Sequence, residues 1–365
     1  MKIPYVSLDK QYKNERDDLI KIFDNVLKSG TYVGGKFVKK FEENLAKFCG
    51  AKYCSSFNSG TDALTIALYL LGVRKGDEVI TAPNSFIAST SVIVHLGAKP
   101  VFADVLDDQN IDPDLIEKKI TSKTKVIMPV HLSGRICQMD KILKIANSKK
   151  IKIIEDSAQA IGSQYNNKLS GTFGDIGCFS AHPLKNLNAI GDAGYFITNS
   201  KKLYDLATDL KNHGMTNRNI VKNFGYVSRM DNLQAAILDY RLKNLPSIIE
   251  QRRKNANLYF KMIDRNNVYI PEEKKNEYNT YHTFVIQVKK RNQLKKYLKK
   301  YNIDTSIHYP VPIHLQPAAK KLGYKKGDFV KTEEQSKKIL TLPINQHLKF
   351  EEIKFISQKI NHFYN

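Results

Sequence analysis

Long apolar runs are missing from this 365-residue chain, and cysteine is rare, with only four residues. No run approaches the roughly 20 apolar residues that cross a bilayer, so the sequence predicts no membrane-spanning helix. The N-terminal stretch has no apolar segment after Lys2, and we therefore expect no secretory signal. Cys49, Cys54, Cys137 and Cys178 lack the spacing of a zinc site or of a disulfide framework. They are expected to be small core residues of a cytoplasmic protein.

A concentrated basic segment is also missing, although the formal net charge is +22. The 58 Lys and Arg residues are spread along the whole chain, without a zinc finger or an RNA-binding signature. The sequence therefore predicts no nucleic-acid partner, which would call for a basic tail or patch. A weaker consequence of the charge remains, because a positive field helps to collect a doubly charged nucleotide diphosphate.

Short apolar segments alternate with amphipathic ones through the first two thirds of the chain. The amphipathic segments 61–72 and 139–150 have the periodicity of helices. This alternation favours an α/β fold with a largely parallel sheet, in which ligands bind at the carboxyl ends of the strands. The predicted strands are 78–82, 99–105, 125–132, 151–156, 175–181 and 193–199.

The length and the 42% of hydrophobic residues favour one large domain together with a smaller one. A long helical stretch at 230–263 is predicted to join them. We expect a large domain over residues 1–245 and a small C-terminal domain over 246–365. The small domain is expected to hold strands near 281–288 and at 304–310, and a final helix from about residue 350.

A lone lysine, Lys185, lies in the stretch FSAHPLKN (179–186), after a predicted strand that ends in Asp156. This layout is typical of a pyridoxal-phosphate site. The cofactor's aldehyde condenses with an amine, and its pyridine nitrogen is kept protonated by a carboxylate. The sequence predicts these roles for Lys185 and Asp156, with the lysine also moving a proton at the substrate. The alternatives are a solvated surface lysine and, for Asp156, an ordinary helix cap.

The stretch NSGTDAL (58–64) directly precedes a helical segment. Ser59, Gly60 and Thr61 would place free backbone N–H groups at a helix N-terminus, which favours an anion such as the cofactor phosphate. Ser180 is predicted to be a further phosphate donor. An ordinary N-cap made by Ser59 or Thr61 is the alternative.

Two more residues are predicted to contact the pyridine ring. Phe86 follows a predicted strand directly and is expected to lie against the face of the ring. Gln159, three residues after Asp156, is expected to donate to the ring hydroxyl. Plain core packing is the alternative for Phe86.

Six motifs stand together in a characteristic order: SGTDAL, EDSAQ, FSAHPLKN, GDAG, GYVSRMDNLQAA and HYPVPIHLQ. In this order they resemble the DegT–DnrJ–StrS sugar aminotransferase family, and the resemblance covers nearly the whole chain. It implies fold type I of the pyridoxal-phosphate-dependent transferases: a mostly parallel mixed sheet in the large domain, with a smaller α+β C-terminal domain. It also implies that Lys185 forms the Schiff base and that the other cofactor contacts are those assigned above.

The resemblance further implies a homodimer whose active sites lie at the subunit interface, with segment 225–236 reaching into the neighbour's site. The implied substrate is a nucleotide-linked keto sugar, with L-glutamate as amino donor. Stretches 190–194 and 307–318 are similar to those of members that aminate carbon 3. This similarity predicts conversion of a dTDP-3-keto-6-deoxyhexose to the dTDP-3-amino-3,6-dideoxyhexose. A nucleotide-sugar 4-aminotransferase acting on a 4-keto-6-deoxyhexose is the alternative.

The predicted substrate contacts are His182, Arg229, His308 and Tyr309, although His308 has an alternative as a hydrogen-bonded core histidine on a strand at 304–310. Three residues depart from the family pattern. Val227, His182 and Asn188 stand where Asn, Tyr and Gly are common in relatives. Two other classes of function remain open: a dehydratase or epimerase on the same scaffold, and a binding or regulatory protein without turnover. Lys185 disfavours the dehydratase, because that branch has His in its place.

Overall fold

The computed structural model describes residues 2–365, which form eleven α-helices and fifteen β-strands. The helices are α1 (Leu8–Lys28), α2 (Lys36–Cys49), α3 (Gly60–Leu70), α4 (Ala88–His95), α5 (Pro113–Ile116), α6 (Met139–Lys149), α7 (Lys201–Leu210), α8 (Asn232–Met262), α9 (Arg291–Lys300), α10 (Val330–Lys338) and α11 (Phe350–Tyr364). The strands are β1 (Tyr53–Phe57), β2 (Glu78–Thr81), β3 (Lys99–Phe102), β4 (Thr124–Ile127), β5 (Lys152–Asp156), β6 (Gln164–Tyr165), β7 (Lys168–Leu169), β8 (Ile176–Ser180), β9 (Gly194–Thr198), β10 (Met215–Asn217), β11 (Ile220–Val221), β12 (Val268–Tyr269), β13 (Glu277–Tyr278), β14 (Phe284–Val288) and β15 (Ile339–Leu342). Short 3₁₀ helices lie at Glu117–Lys119, Leu132–Gly134, Ile313–Leu315 and Pro317–Leu322.

Seven strands form the large sheet, in the order β1-β9-β8-β5-β4-β2-β3. Strands β8, β5, β4, β2 and β3 pair in parallel with their neighbours. Only β9 runs the other way, antiparallel to β8 and to β1. The six predicted strands all lie in this sheet, which confirms the prediction of an α/β fold with a mostly parallel mixed sheet. The sequence analysis missed β1 at the edge.

Both faces of the large sheet are buried because neighbouring apolar residues of each strand point to opposite faces. On one face, Val79, Val126 and Ile154 pack in a cluster with apolar residues of α3. On the other face, Ile80 and Ile127 pack in a cluster with residues of α6. Because the strands run in parallel, their carboxyl ends lie at a common edge of the sheet. The ends of β5 and β8 at that edge carry the predicted site.

A second sheet, β12-β14-β15, forms a separate core with α9, α11 and the C-terminal half of α8. Helix α8 contributes Leu238 and Leu245 to a core beside the large sheet, and Ala256 and Tyr259 to the core of the second sheet. The predicted division at residue 245 falls inside this one helix, and the division into two domains stays a prediction. Two small sheets, β10-β11 and β13-β6-β7, complete the strands.

One predicted strand, at 304–310, is wrong. The segment makes only an isolated antiparallel bridge, between Ser306 and Thr341. Pro310 and Pro312 have no N–H donors, so a hydrogen-bonded ladder cannot continue through residues 310–312. His308 therefore lies in an irregular segment rather than on a strand.

The helices and the cysteines bear on the predictions made for membrane spans and disulfides. Across residues 2–365, every helix is too short or too polar to span a bilayer. All four cysteines are buried, and none is in a disulfide.

Candidate active site

One cavity of about 420 Å³ opens beside the ends of β5 and β8. This volume lies within the range of pockets that hold small-molecule ligands and cofactors. The structure brings all but one of the sequence-predicted site residues to its wall: Ser59, Gly60, Thr61, Phe86, Asp156, Gln159, Ser180, His182, Lys185, His308 and Tyr309. Arg229 is the exception.

Asp156 ends β5 and is buried at the floor of the cavity. Its Oδ2 accepts a hydrogen bond from the hydroxyl of Ser89 at 2.7 Å, and its Oδ1 accepts one from the backbone N–H of Ala158 at 3.2 Å. Burial raises the pKa of the Asp156 carboxyl, while the Ser89 hydroxyl, the Ala158 N–H and the charge of Lys185 oppose that rise. The carboxyl group is therefore held in a fixed orientation by groups that favour its charged form.

Lys185 lies in the short loop after β8, where its backbone N–H donates to the carbonyl of His182 at 2.8 Å. Its side chain is accessible only in part and lines the cavity. Burial lowers the pKa of Lys185 to about 8, although the negative charge of Asp156 acts to raise it. About a tenth of the amine is therefore neutral and nucleophilic at pH 7, far more than for a lysine of ordinary pKa.

The N-terminus of α3 lies unusually close to the end of β8. A Cβ added at Gly60 would lie 2.8 Å from the Cβ of Ser180, and one added at Gly194 would lie 2.2 Å from the backbone N of Gly60. Glycine at both positions therefore lets the helix N-terminus meet the sheet at the cavity wall. Ser59 is the N-cap of α3, since its hydroxyl accepts from the backbone N–H of Asp62 at 3.1 Å. Ser59 can thus cap α3 with its side chain while the same helix N-terminus lies at the cavity wall, where an anion is predicted to bind.

Three residues form the wall next to Asp156. Gln159 accepts a hydrogen bond from the backbone N–H of Ser133 at 2.7 Å, and its side-chain amide lies 3.5 Å from the hydroxyl of Tyr309. The ring of Phe86 lies with its centroid 5.8 Å from that of Tyr309, at an interplanar angle of 45°. Phe86 keeps 55% of its surface exposed, so it is not a core residue.

His308 contributes to the cavity wall and is also hydrogen-bonded behind it. Its Nδ1 lies 2.9 Å from the hydroxyl of Thr341. Burial, with a smaller effect of the Lys185 charge, lowers the pKa of His308 to about 4. The imidazole is therefore neutral near pH 7. His308 is both hydrogen-bonded to Thr341 and part of the cavity wall, so the two predictions for this residue are compatible.

Arg229 points elsewhere in this chain, with its Nη1 donating to the side-chain oxygen of Asn212 at 2.9 Å. The sequence analysis assigned segment 225–236 to the active site of a neighbouring subunit. The role of Arg229 in substrate binding therefore stays a prediction.

Sequence reasoning missed two residues with direct bearing on the cavity, Ser89 and Arg252. Ser89 lies three residues after Phe86 and holds Asp156. Arg252 lies on α8 within the run EQRRK and lines the cavity with its neighbours Tyr5 and His282. The order of motifs gave no signal for either residue, because only the packing of α4 and α8 directs their side chains to this site.

These groups fit pyridoxal phosphate. The cavity has an amine of lowered pKa, a buried carboxylate oriented by Ser89, and a helix N-terminus that glycine brings against the end of β8. When bound, the cofactor supplies an electron sink for the substrate carbon. By the sequence prediction, the residues that would hold it are Lys185 at the aldehyde, Asp156 at the pyridine nitrogen, and Gly60, Thr61 and Ser180 at the phosphate, and all five line the cavity.

Comparisons with known proteins cover almost the whole chain. The profile of the DegT/DnrJ/EryC1/StrS aminotransferase family matches residues 13–361. A protein of Geobacillus stearothermophilus named pleiotropic regulatory protein is 39% identical, over 100% of this chain and 99% of its own length. The dTDP-3-amino-3,6-dideoxy-alpha-D-galactopyranose transaminase of Aneurinibacillus thermoaerophilus is 38% identical, over 99% of each chain. The UDP-2-acetamido-2-deoxy-3-oxo-D-glucuronate aminotransferase of Pseudomonas aeruginosa is 35% identical, over 97% and 98%.

Two solved structures have the same fold. DesV of S. venezuelae superposes with a TM-score of 0.97 at 32% identity, covering 99% of this chain and 98% of its own. NtdA of Bacillus subtilis, solved with bound cofactor PMP, superposes with a TM-score of 0.92 at 32% identity, covering 99% of this chain and 85% of its own. PMP is the amine form of pyridoxal phosphate, so the neighbour carries the cofactor that the cavity fits. The chain has fold type I, uses pyridoxal phosphate as cofactor, and belongs to the DegT/DnrJ/EryC1/StrS aminotransferase family, as a sugar aminotransferase.

Proposed function

We propose that the protein converts a dTDP-3-keto-6-deoxyhexose to the dTDP-3-amino-3,6-dideoxyhexose, with L-glutamate as amino donor. Amination at carbon 3 of the sugar is proposed on the basis of two relatives, from A. thermoaerophilus and P. aeruginosa. The first is named for a 3-amino sugar and the second for a 3-oxo sugar, although their nucleotides differ. The dTDP nucleotide is proposed because the more similar of the two carries it.

Lys185 is proposed as the catalytic residue. Its amine would hold the cofactor and then move the proton between the two carbons that exchange the amino group. The lowered pKa supports this role, because a base works best when its pKa lies near the working pH. Asp156, buried and oriented by Ser89, is proposed to keep the pyridine nitrogen protonated.

His182, His308 and Tyr309 are proposed to meet the sugar, since all three line the cavity that holds Lys185. His308 is neutral near pH 7, so its contact with a sugar hydroxyl would be a hydrogen bond without charge. Tyr309 also lies beside Gln159 and Phe86, so it links the predicted ring contacts to the predicted sugar contacts.

A homodimer is proposed, with each arm 225–236 entering the other subunit's site. Ile220 and Val221 in the hairpin β10–β11 and Val227 in the arm each have more than half of their surface accessible, and Phe224 between them is 99% exposed. Apolar side chains exposed together support a subunit contact. Sedimentation of the protein should give twice the chain mass, and a monomer that retains full activity would refute this assignment. We also propose the cytoplasm as the protein's location and keep the large and small domains as assigned from the sequence.

The substrate is tested with glutamate and freshly prepared keto sugars. We expect amination of the dTDP-3-keto-6-deoxyhexose. Mass spectrometry of the amino-sugar nucleotide measures this product. Amination of only the 4-keto isomer would overturn the position and favour a 4-aminotransferase. Amination of only a UDP-linked 3-keto sugar would overturn the nucleotide, a result that the P. aeruginosa relative makes worth including.

The relative named as a regulatory protein raises a second possibility for the chain, regulation without turnover. The family and the transaminase relatives support an enzyme instead, and the same assay separates the two. A regulatory protein without turnover would release no 2-oxoglutarate from glutamate in the presence of any of these sugars.

A further inference from the structure

Arg252 is a buried cation without an acidic partner. It lies on α8, and only 6% of its surface is exposed. Its Nη1 donates to the backbone carbonyls of Tyr281 at 3.0 Å and His282 at 3.3 Å, while its Nε is buried without any hydrogen-bond partner. Among residues 2–365, no carboxylate oxygen lies within 4.0 Å of an Arg252 guanidinium nitrogen, the limit for an ion pair. The guanidinium therefore has unused donors.

The adjacent Arg253 on the same helix has hydrogen-bond partners for its guanidinium. Arg253 makes two hydrogen bonds to the carboxylate of Glu273, at 2.8 and 2.9 Å, and a third to the carbonyl of Asn279. Arg253 does not line the cavity with Lys185, whereas Arg252 does. The two side chains differ in what they face, although the sequence gives them the same surroundings.

Arg252 is a positive charge in its corner of the cavity that no acid there neutralises. Burial lowers the pKa of Arg252 to about 10, so the group stays protonated at neutral pH. Burial, and then the charges of Lys185 and Arg252, hold the pKa of His282 well below its usual range. Asp156 and Asp192 are the acids that line the cavity within the described part of the chain, and neither is paired with Arg252. A buried charge without a counter-ion is costly, so an anionic ligand would stabilise this corner.

A small carboxylate fits this corner better than the other anions expected here. The cofactor phosphate is assigned to the N-terminus of α3 and to Ser180. A nucleotide diphosphate carries a bulky sugar and base, whereas the Arg252 guanidinium is almost fully buried. A carboxylate matches the fork of a guanidinium with two parallel hydrogen bonds. The amino donor named in the proposed function carries two carboxylates.

We propose that Arg252 binds a carboxylate of the amino donor. The proposal rests on the proposed function for the identity of the donor, but it does not depend on the sugar or its nucleotide. It assigns Arg252 as a specificity residue for a dicarboxylate donor, in a position that the motif order did not reveal. The backbone contacts of its Nη1 would orient the guanidinium. Its Nη2 makes no hydrogen bond and, unlike the Nε, is not enclosed, so it would point a donor towards the ligand.

The test compares Arg252→Gln with the matched control Arg253→Gln, both loaded with cofactor. Binding of glutarate, a dicarboxylate without an amine, is measured by calorimetry. The donor half-reaction is measured without sugar, as the change of the cofactor absorbance on addition of glutamate. Arg252→Gln is expected to weaken glutarate binding by about 10- to 100-fold and to raise the glutamate KM to a similar extent, because hydrogen bonds to a charged group are lost. Arg253→Gln is expected to change neither value more than about twofold.

Glutarate binding to Arg252→Gln at the wild-type affinity would overturn the proposal, and so would an equal loss in both variants. Should Arg252→Gln not fold, Arg252→Lys replaces it. A lysine keeps the charge without the fork, so a several-fold weaker glutarate affinity is expected, and an unchanged affinity would overturn the proposal. The proposed function fails separately: wild-type protein that reacts with glutamate but aminates no dTDP-3-keto sugar would refute the substrate and leave Arg252 assigned.

Discussion

Replacing Ser89 by Ala removes the one side chain among residues 2–365 that donates a hydrogen bond to Asp156. The hydroxyl lies 2.7 Å from Oδ2, and both residues are buried. A hydrogen bond to a charged group contributes about 1.5–3 kcal/mol. At about 1.4 kcal/mol for each factor of ten, its loss corresponds to roughly 10- to 100-fold weaker binding of a ligand that needs the charged carboxylate. Ser89→Ala is therefore expected to weaken the affinity for pyridoxal phosphate by that factor.

The pH dependence of binding tests the physical reason. Burial already raises the pKa of Asp156, and the Ser89 hydroxyl lowers it. Without the hydroxyl the pKa rises further, because the charged form loses a donor while the neutral form does not. Cofactor affinity should fall as the pH falls through this pKa, so the fall in Ser89→Ala should begin at a higher pH than in wild type. Titration of the cofactor absorbance at a series of pH values measures both effects.

Thr90→Val is the matched control for this experiment. Thr90 is the next residue on α4 and is equally buried, but its hydroxyl has no hydrogen-bond partner. The substitution keeps the shape of the side chain and removes no hydrogen bond, so cofactor affinity should remain at the wild-type value. Wild-type affinity and pH dependence in Ser89→Ala would refute the reasoning, and so would equal losses in the two variants.

Three other predictions concern the amine, the helix N-terminus and the fold. The cofactor-free protein should react with pyridoxal phosphate at a rate that rises with pH and levels off above about pH 8, since burial lowers the pKa of Lys185 to about 8; a rise that continues towards pH 10.5 would contradict that pKa in a stopped-flow measurement. Gly60→Ala places a Cβ 2.8 Å from that of Ser180, and the overpacking of about 1–3 kcal/mol should weaken cofactor binding by roughly 5- to 150-fold in an equilibrium titration. Unchanged binding would show that α3 can move without loss. Glu277→Gln leaves the buried Arg135 without its partner at 2.5 Å and should lower the free energy of unfolding by about 3–5 kcal/mol in urea, whereas a loss under 1 kcal/mol would mean that the ion pair contributes little.

The large sheet could be predicted from the sequence because its parallel strands are buried on both faces and read as short apolar runs. Strand β1 was missed because its sequence, YCSSF, has two serines in the middle, and its pairing with β9 overrides this weak pattern. The prediction of a strand at 304–310 is wrong because Ile307 and Tyr309 favour a strand locally, whereas Pro310 lies inside the segment and Pro312 just after it. Local pattern therefore succeeds for the apolar strands of the large sheet, including β3 at one edge, and fails for β1, where tertiary pairing decides.

The cavity wall shows a similar division. Asp156, Lys185 and the glycine-containing turn at Gly60 stand in short motifs whose chemistry can be named, and the structure brings them to one cavity. Ser89 and Arg252 carry no such signal. Arg252 and Arg253 are adjacent and alike in sequence, and only the orientation of α8 directs the first to the cavity and the second to Glu273.

The central claim is that the Lys185 amine holds pyridoxal phosphate at the end of β8. Borohydride reduction of the loaded protein, followed by proteolysis and mass spectrometry, tests it most directly. The account predicts one reduced cofactor per chain, attached to the peptide that contains Lys185, and none in a Lys185→Ala variant. Attachment at a different lysine, or an unchanged yield in the variant, would contradict the account.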